Sequence, residues 1–262
     1  MCTRLQPVIC VCLNQLNCAI QQKLQTSLDY ATCGWNVRRT FSQSIFAELI
    51  INRYLCGGNE SIQPLEYLYM STKSIKGTRT EQNLLKSFAG ESQARNRYTY
   101  FAGVARKEGY RQIEAVFLET ADQEKEHAKR FFKFLEGGEL EITAAFPAGV
   151  IGTTAENLKA AAAGEHCEAE EMYPEFADIA EEEGFKTIAA VYRNVAKAEH
   201  EHEMRYLKLL ERVEAGKYFE RDEEIYWQCR NCGFVVKAKK APAKCPACDH
   251  PQEFFEPMAE NY

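Results

Sequence analysis

The sequence predicts an all-α four-helix bundle followed by a small cysteine-bearing module, and three observations predict it. Apolar residues recur at three- and four-residue spacing in four consecutive stretches between Thr78 and Ala215. Two tight connections and one long helix-poor crossover join those stretches. The final segment carries two Cys-x-x-Cys pairs, Cys229/Cys232 and Cys245/Cys248.

Composition bounds the rest. The chain has 262 residues, enough for a real core, with 32 Lys+Arg against 38 Asp+Glu for a net charge of −6. The basic residues form no run, which argues against a nucleic-acid partner. No apolar stretch approaches the roughly 18–20 residues of a transmembrane helix, so no membrane partner is expected. The eleven cysteines divide unevenly: six lie in residues 1–69, a part with few charges and no histidine, and five in the charged remainder. Residues 1–69 show no sustained period. Val8–Leu13 is too short for a signal-peptide core, and Ser44–Cys56 fits a short helix ending at Gly57-Gly58. This part is expected to be a weakly ordered extension, or sequence upstream of a true start at Met70.

The bundle is expected over 70–216. Thr78 and Glu81 fit a capping box, after which Leu84, Phe88, Ala102 and Ala105 form the apolar stripe of the first helix. A second helix spans about Arg111 to Glu136, with Ile113, Val116, Phe117, Phe131, Phe134 and Leu135 on one side and Gly137-Gly138 as its stop. Residues 137–152 can cross the length of a bundle. Thr153 and Glu156 open a third helix, which Pro174 should kink because it lacks a backbone donor. Gly184 separates it from a fourth, about Phe185 to Ala215. This topology is that of a ferritin-like bundle. Residues 217–225 read as a charged linker, and 226–262 form the terminal module.

Each apolar stripe is interrupted near its middle by acids or histidine. Glu91 follows Leu84 by seven residues and Phe88 by three. Glu124 and His127 fall between Phe117 and Phe131, Glu165 and Glu168 between Ala161 and Met172, and Glu199 and His202 between Val195 and Tyr206. Spacings of three and four keep each set on one side of its helix. Five buried carboxylates cannot be held together without cations, and Arg95 is the one basic residue near the set. Two Glu-x-x-His pairs plus a Glu from each other helix is the layout of a di-iron or di-manganese carboxylate bundle. A lone Glu-x-x-His is usually a solvated face; two pairs at matching depth are not. His166, His200 and Cys167 neighbour these residues and are expected to point elsewhere. Tyr98 and Tyr173 are expected to donate hydrogen bonds to the ligating carboxylates.

Cys229, Cys232, Cys245 and Cys248 make a closed tetrahedral metal site, with Gly233 suited to the positive φ of the first turn. Trp227, Phe234, Phe254 and Phe255 would keep it dry. The spacing is shared by zinc ribbons and rubredoxin-type iron sites; iron gains weight beside a redox-capable dinuclear site.

With both sites in view, residues 70–262 resemble the rubrerythrin family closely. AGESQARNRY (89–98), ETADQEKEHAKR (119–130), AAGEHCEAEEMYP (162–174), AEHEHE (198–203), CRNCG (229–233) and CPAC (245–248) carry the resemblance. It implies two non-haem irons and one Fe in a rubredoxin-like site of four cysteines. Glu91, Glu124, Glu168 and Glu199 would serve one iron, with His127 replacing Glu168 on reduction. Glu124, Glu165, Glu199 and His202 would serve the other, with Glu124 and Glu199 bridging. The resemblance further implies a cytoplasmic peroxidase that reduces hydrogen peroxide and protects against oxidative stress. It implies a homodimer in which the tail of one subunit approaches the di-iron site of its partner. Electrons would come from NAD(P)H through rubredoxin or a separate reductase, since the chain has no GxGxxG. Two other readings stand beside it. A ferroxidase or iron-storage protein would use the bundle but leave the cysteine tail without a purpose. A zinc-ribbon binding module would leave seven core-facing ligands unexplained.

Overall fold

A computed structural model of the chain describes residues 73–260. The expectations for residues 1–69 lie outside the described residues. Helix α1 is Arg79–Lys107 and α2 is Arg111–Phe132. Thr78 caps α1, its hydroxyl accepting from the Glu81 N–H at 3.1 Å. Glu81 turns back to the Gly77 N–H instead of that of Thr78, so the expected box is only half closed. Gly109, at φ +82°, forms the turn that sets α2 beside α1. Helix α2 stops four residues before the expected Glu136. The N–H groups of Phe134 and Leu135 bond the carbonyls three residues back, which tightens and ends the helix. Glu136 instead accepts from the Ser74 hydroxyl and the Ile75 N–H ahead of α1. The crossover that follows contains neither helix nor strand as far as Thr153.

The expected third helix is three elements: α3 (Thr154–Cys167), a π-helical turn (Glu168–Met172) and α4 (Tyr173–Glu182). A full capping box between Thr153 and Glu156 opens α3. Pro174 explains the π turn. In an α-helix its ring would strike the carbonyl four residues back; the wider turn, in which the Tyr173 N–H reaches the Glu168 carbonyl, relieves the clash. The turn also resets the face. Eight α-helical residues from Glu165 would place Tyr173 about 80° away from it, whereas the π turn absorbs nearly all of that rotation. Tyr173, Phe176, Ala177 and Ala180 are consequently buried on the same side as Leu158, Ala161 and Glu165. Helix α5 (Lys186–Glu214) completes the bundle.

Two aromatic clusters fill the core. One contains Tyr98, Phe101, Phe117, Leu158, Tyr206 and Leu210; the other contains Leu84, Phe131, Tyr173, Phe176, Tyr192 and Val195. Each fully buried Phe or Leu contributes about 1.5–3 kcal/mol. Phe88, expected in the stripe, is only half buried and packs on Phe132, while Ser87 occupies the core and meets the Tyr192 hydroxyl at 3.2 Å. Between the clusters lies the layer of acids and histidines.

After α5 the charged segment expected as a linker is ordered: Tyr218 is buried against Tyr110, and strand β1 (Glu220–Cys229) begins within it. With β2 (Val235–Lys240) and β3 (Phe255–Pro257) it forms an antiparallel sheet in the order β2-β1-β3, Trp227 standing opposite Val236 and Pro257. Among the described residues no helix is long and apolar enough to cross a membrane.

Candidate metal centres

Four of the five helices deliver an acid to one layer. Glu91 comes from α1, Glu124 and His127 from α2, Glu165 from α3, and Glu199 and His202 from α5. The four Glu are fully buried and His202 nearly so. Their ligand atoms fall into two groups, Glu91–Glu124–His127–Glu199 and Glu124–Glu165–Glu199–His202, each within 4.8 Å. Glu124 and Glu199 belong to both, and each presents one oxygen to either side. His127 Nδ1 lies 2.9 Å from Glu124 Oε2 and 2.9 Å from Glu199 Oε1. His202 Nδ1 lies 3.1 Å from Glu124 Oε1 and 2.9 Å from Glu199 Oε2. An octahedral ion with ligands at about 2.1 Å separates adjacent ligand atoms by about 3.0 Å, so these are the edges of two coordination shells.

The hydrogen-bond pattern agrees. Six buried atoms of the layer have no hydrogen-bond partner: Glu91 Oε2, Glu124 Oε1, Glu165 Oε2, both oxygens of Glu199 and His202 Nδ1. They lie close to one another without hydrogen bonding. Orphaned acceptors at this depth are costly unless a cation receives them, and the mixed carboxylate and imidazole set suits iron.

Without cations the layer draws in protons. Burial, with the charges of Glu199 and Glu124, holds the Glu91 carboxyl well above its ordinary range. Burial and the Glu124 charge push Glu165 up to about 8. Burial opposes ionisation of Glu124, but His127 and His202 hold it down to about 2. Against the same cost of burial, Glu124 and Glu199 raise His127 to about 10. Glu124, Glu165 and Glu199 likewise raise His202 to about 12.

Glu168 stands apart. It belongs to neither group, and burial and Glu165 hold its carboxyl well above the ordinary range. Its Oε1 lies 3.8 Å from where a Cβ on Gly90 would be, beside the Phe146 ring of the crossover. The basic residue whose charge reaches it is Arg97; Arg95, which the sequence singled out, is exposed. Tyr98 donates to Glu165 Oε1 at 2.6 Å, and Tyr173 donates to Glu91 Oε1. Burial and those carboxylates push both phenols upward, so they remain donors. His166, His200 and Cys167 lie on the exposed side. The sequence reading missed the placement of Tyr206, which packs on Tyr98 with ring centroids 5.5 Å apart; its stripe position marked it only as core.

In the tail, Cys229 and Cys248 sulfurs lie 3.8 Å apart and those of Cys232 and Cys245 3.7 Å apart. A disulfide needs about 2.05 Å. Four sulfurs at about 2.3 Å from one ion have tetrahedral edges of about 3.8 Å. The two knuckles match: the Gly233 N–H bonds the Cys229 carbonyl and the Asp249 N–H that of Cys245. Gly233 and Asp249 both have positive φ, 76° and 64°. Trp227 and Phe255 are fully buried behind the site, with Phe234 and Phe254 beside them.

The chain matches the family model Rubrerythrin over residues 82–210 and the model Rubrerythrin, rubredoxin-like domain over residues 227–256. It is 70% identical over 190 residues to a rubrerythrin of Porphyromonas gingivalis, covering 72% of this chain and 95% of that one. Rubrerythrins of Nitratidesulfovibrio vulgaris and Clostridium perfringens are 57% and 56% identical over 190 and 194 residues, each covering 72% of this chain and 100% of its own. The two family models fall on the two parts of the chain that carry these centres, and the chain belongs to the rubrerythrin family of di-iron proteins with a rubredoxin-like domain.

Proposed function

We propose that this protein is a peroxidase that reduces hydrogen peroxide to water, taking up two electrons and two protons for each peroxide. In this reading Glu124 and Glu199 would be shared between two irons, with Glu91 and His127 holding one and Glu165 and His202 the other. Glu168 would serve as the alternative to His127. Bound as a ferrous pair, the irons supply both electrons that cleavage of the O–O bond consumes. The protein's own residues do the rest. Tyr98 and Tyr173 fix the terminal carboxylates Glu165 and Glu91 by hydrogen bonds. The aromatic clusters on either side keep water from the layer. Cys229, Cys232, Cys245 and Cys248 would hold a one-electron iron, which would supply reducing equivalents drawn from an NAD(P)H-linked reductase or rubredoxin. A homodimer in the cytoplasm completes the proposal, in keeping with sulfurs set for a metal instead of a disulfide.

The observation that carries the reading is Glu168. It is a half-buried carboxylate outside the two four-residue groups, near enough for the charges of Glu165, Glu199 and Glu124 to act on it, while His127 belongs to the group that contains Glu91. A ferroxidase built on the plain bundle layout has no use for this extra acid, nor for the cysteine tail. The test is anaerobic addition of H2O2 to the reduced protein, followed optically. Rapid reoxidation of both centres supports the peroxidase; oxidation by O2 alone, with growing mineral cores, contradicts it.

A further inference from the structure

A cavity of about 530 Å³ opens between the crossover, α1 and α3. Its walls are mostly apolar: Tyr100 and Phe101 come from α1, and Pro147, Val150 and Ile151 from the crossover. Three of these side chains stay in water, since Val150 is 86% exposed, Ile151 57% and Tyr100 53%. Exposed apolar residues gathered around one cavity mark a surface that a ligand can cover. The cavity also reaches the acid layer. Tyr98 lines it and donates to Glu165 Oε1 at 2.6 Å, and Arg97, whose charge acts on Glu168, lines it too. Gly164, the neighbour of Glu165, opens onto the same space. It sits inside α3, where glycine is less favourable than alanine, yet nothing lies within 4 Å of the place a Cβ would take. Packing therefore does not demand a glycine there; its missing side chain enlarges the cavity beside the layer.

Hydrogen peroxide does not need such a space. It is little larger than a water molecule, whose share of liquid volume is about 30 Å³, and it has no apolar part. Sites for small organic ligands occupy about 300–1,000 Å³ and combine apolar walls with a few polar groups. Resting on the peroxidase reading above, we propose that the cavity admits organic hydroperoxides, ROOH. The apolar R group lies against Phe101, Pro147 and Ile151, and the peroxide end points toward Gly164 and Arg97. The O–O bond breaks as in the proposed reaction with H2O2: two electrons from the reduced iron pair and two protons convert ROOH to ROH and H2O. Negative charge develops on the RO oxygen as that bond breaks, and Arg97 is the cation in the cavity wall that stabilises it. The alcohol leaves through the open mouth of the cavity.

The test uses the iron-loaded protein, reduced anaerobically, beside two variants that fill the cavity from α3. Gly164→Leu places a helix-favouring side chain next to Glu165, and Ala160→Phe narrows the exposed part of the same wall. Reoxidation by H2O2 and by cumene hydroperoxide is followed by stopped-flow absorbance. Both oxidants act on the wild type. In each variant the rate constant for cumene hydroperoxide relative to that for H2O2 falls about tenfold or more, the usual effect of reshaping an apolar pocket. Binding is read apart from turnover, by calorimetry of the oxidised, iron-loaded protein with the alcohol product 2-phenyl-2-propanol. That alcohol binds the wild type and binds both variants about tenfold more weakly, while iron content and melting temperature do not fall. Oxidation by H2O2 but not by cumene hydroperoxide, a ratio unchanged in both variants, or no alcohol binding to the wild type overturns the organic substrate alone. Failure of both oxidants overturns the peroxidase reading as well.

Discussion

At the residue scale the proposed function turns on Glu168 and His127, of which only His127 belongs to the group that holds Glu91. If they alternate, Glu168→Ala slows reoxidation of the reduced protein by peroxide far more than it lowers iron content, because His127 still closes the shell. Metal analysis beside stopped-flow kinetics reads both, and equal losses would show that Glu168 is merely another ligand. Tyr98 makes a subtler contribution. Its hydroxyl holds Glu165 Oε1 in place, and removal of such an orienting partner weakens metal sites by about 10- to 100-fold. Tyr98→Phe should therefore load iron less tightly in a chelator competition while its helix content stays unchanged; undiminished affinity would make the hydrogen bond incidental. These residues were legible in the sequence because acids on an apolar stripe contradict its period, and the contradiction is local. Arg97 was not legible. Which of two arginines near Glu91 points toward Glu168 depends on a neighbouring helix, and no spacing within α1 encodes it.

The π turn is where helix-level reading was incomplete. Pro174 announces a disturbance, and a kink is the simplest form of one. What selects a π turn is that Glu165 and Tyr173 must both face inward, a demand set by Glu91 on another helix. The rotation predicts an asymmetry. Two variants in a Pro174→Ala background, free of the ring's clash with plain helix, test it. Deleting the exposed Glu171 converts the π turn to plain helix and leaves Tyr173 within about 20° of the Glu165 face. That variant keeps its helix content and loses little melting temperature. Inserting one alanine after Met172 instead turns Tyr173, Phe176 and Ala180 by about 100°, and α4 loses its core face. The insertion should melt well below the deletion in thermal unfolding followed by circular dichroism; equal melting would refute the phase argument. The capping residues Thr78 and Thr153 and the glycine stops were readable because the chemistry of a helix end is written within four residues of it. The charged stretch 217–224 was misleading for the opposite reason: Tyr218 and the start of β1 are ordered by packing partners distant in sequence, Tyr110 and Lys240.

For the whole molecule, the acid layer ties folding to metal and to pH. In the metal-free protein Glu91, Glu165, Glu168, His127 and His202 all titrate above their ordinary values. The folded state therefore binds more protons than the unfolded chain from about pH 4.5 to 12, so stability falls as pH rises through that window. Glu124, held at about 2, adds a loss only on acidification below about 4.5. Metal ions replace these protons, and their affinity rises as the ligands deprotonate. The metal-free form should then melt higher at pH 6 than at pH 9, while the iron-loaded form shows no such fall; parallel curves would mean that the layer is not metal-linked. The central claim is that this layer and the cysteine site together make a peroxidase, and one measurement tests it most directly. The anaerobically reduced, iron-loaded protein is mixed with about 1.5 equivalents of H2O2 per chain, the amount its three ferrous ions can reduce, and its spectrum is followed in time. The account predicts rapid oxidation of the dinuclear centre with all of the peroxide consumed, followed by slower oxidation of the cysteine-bound iron as electrons pass inward. Persistent peroxide beside a reduced dinuclear centre would contradict it.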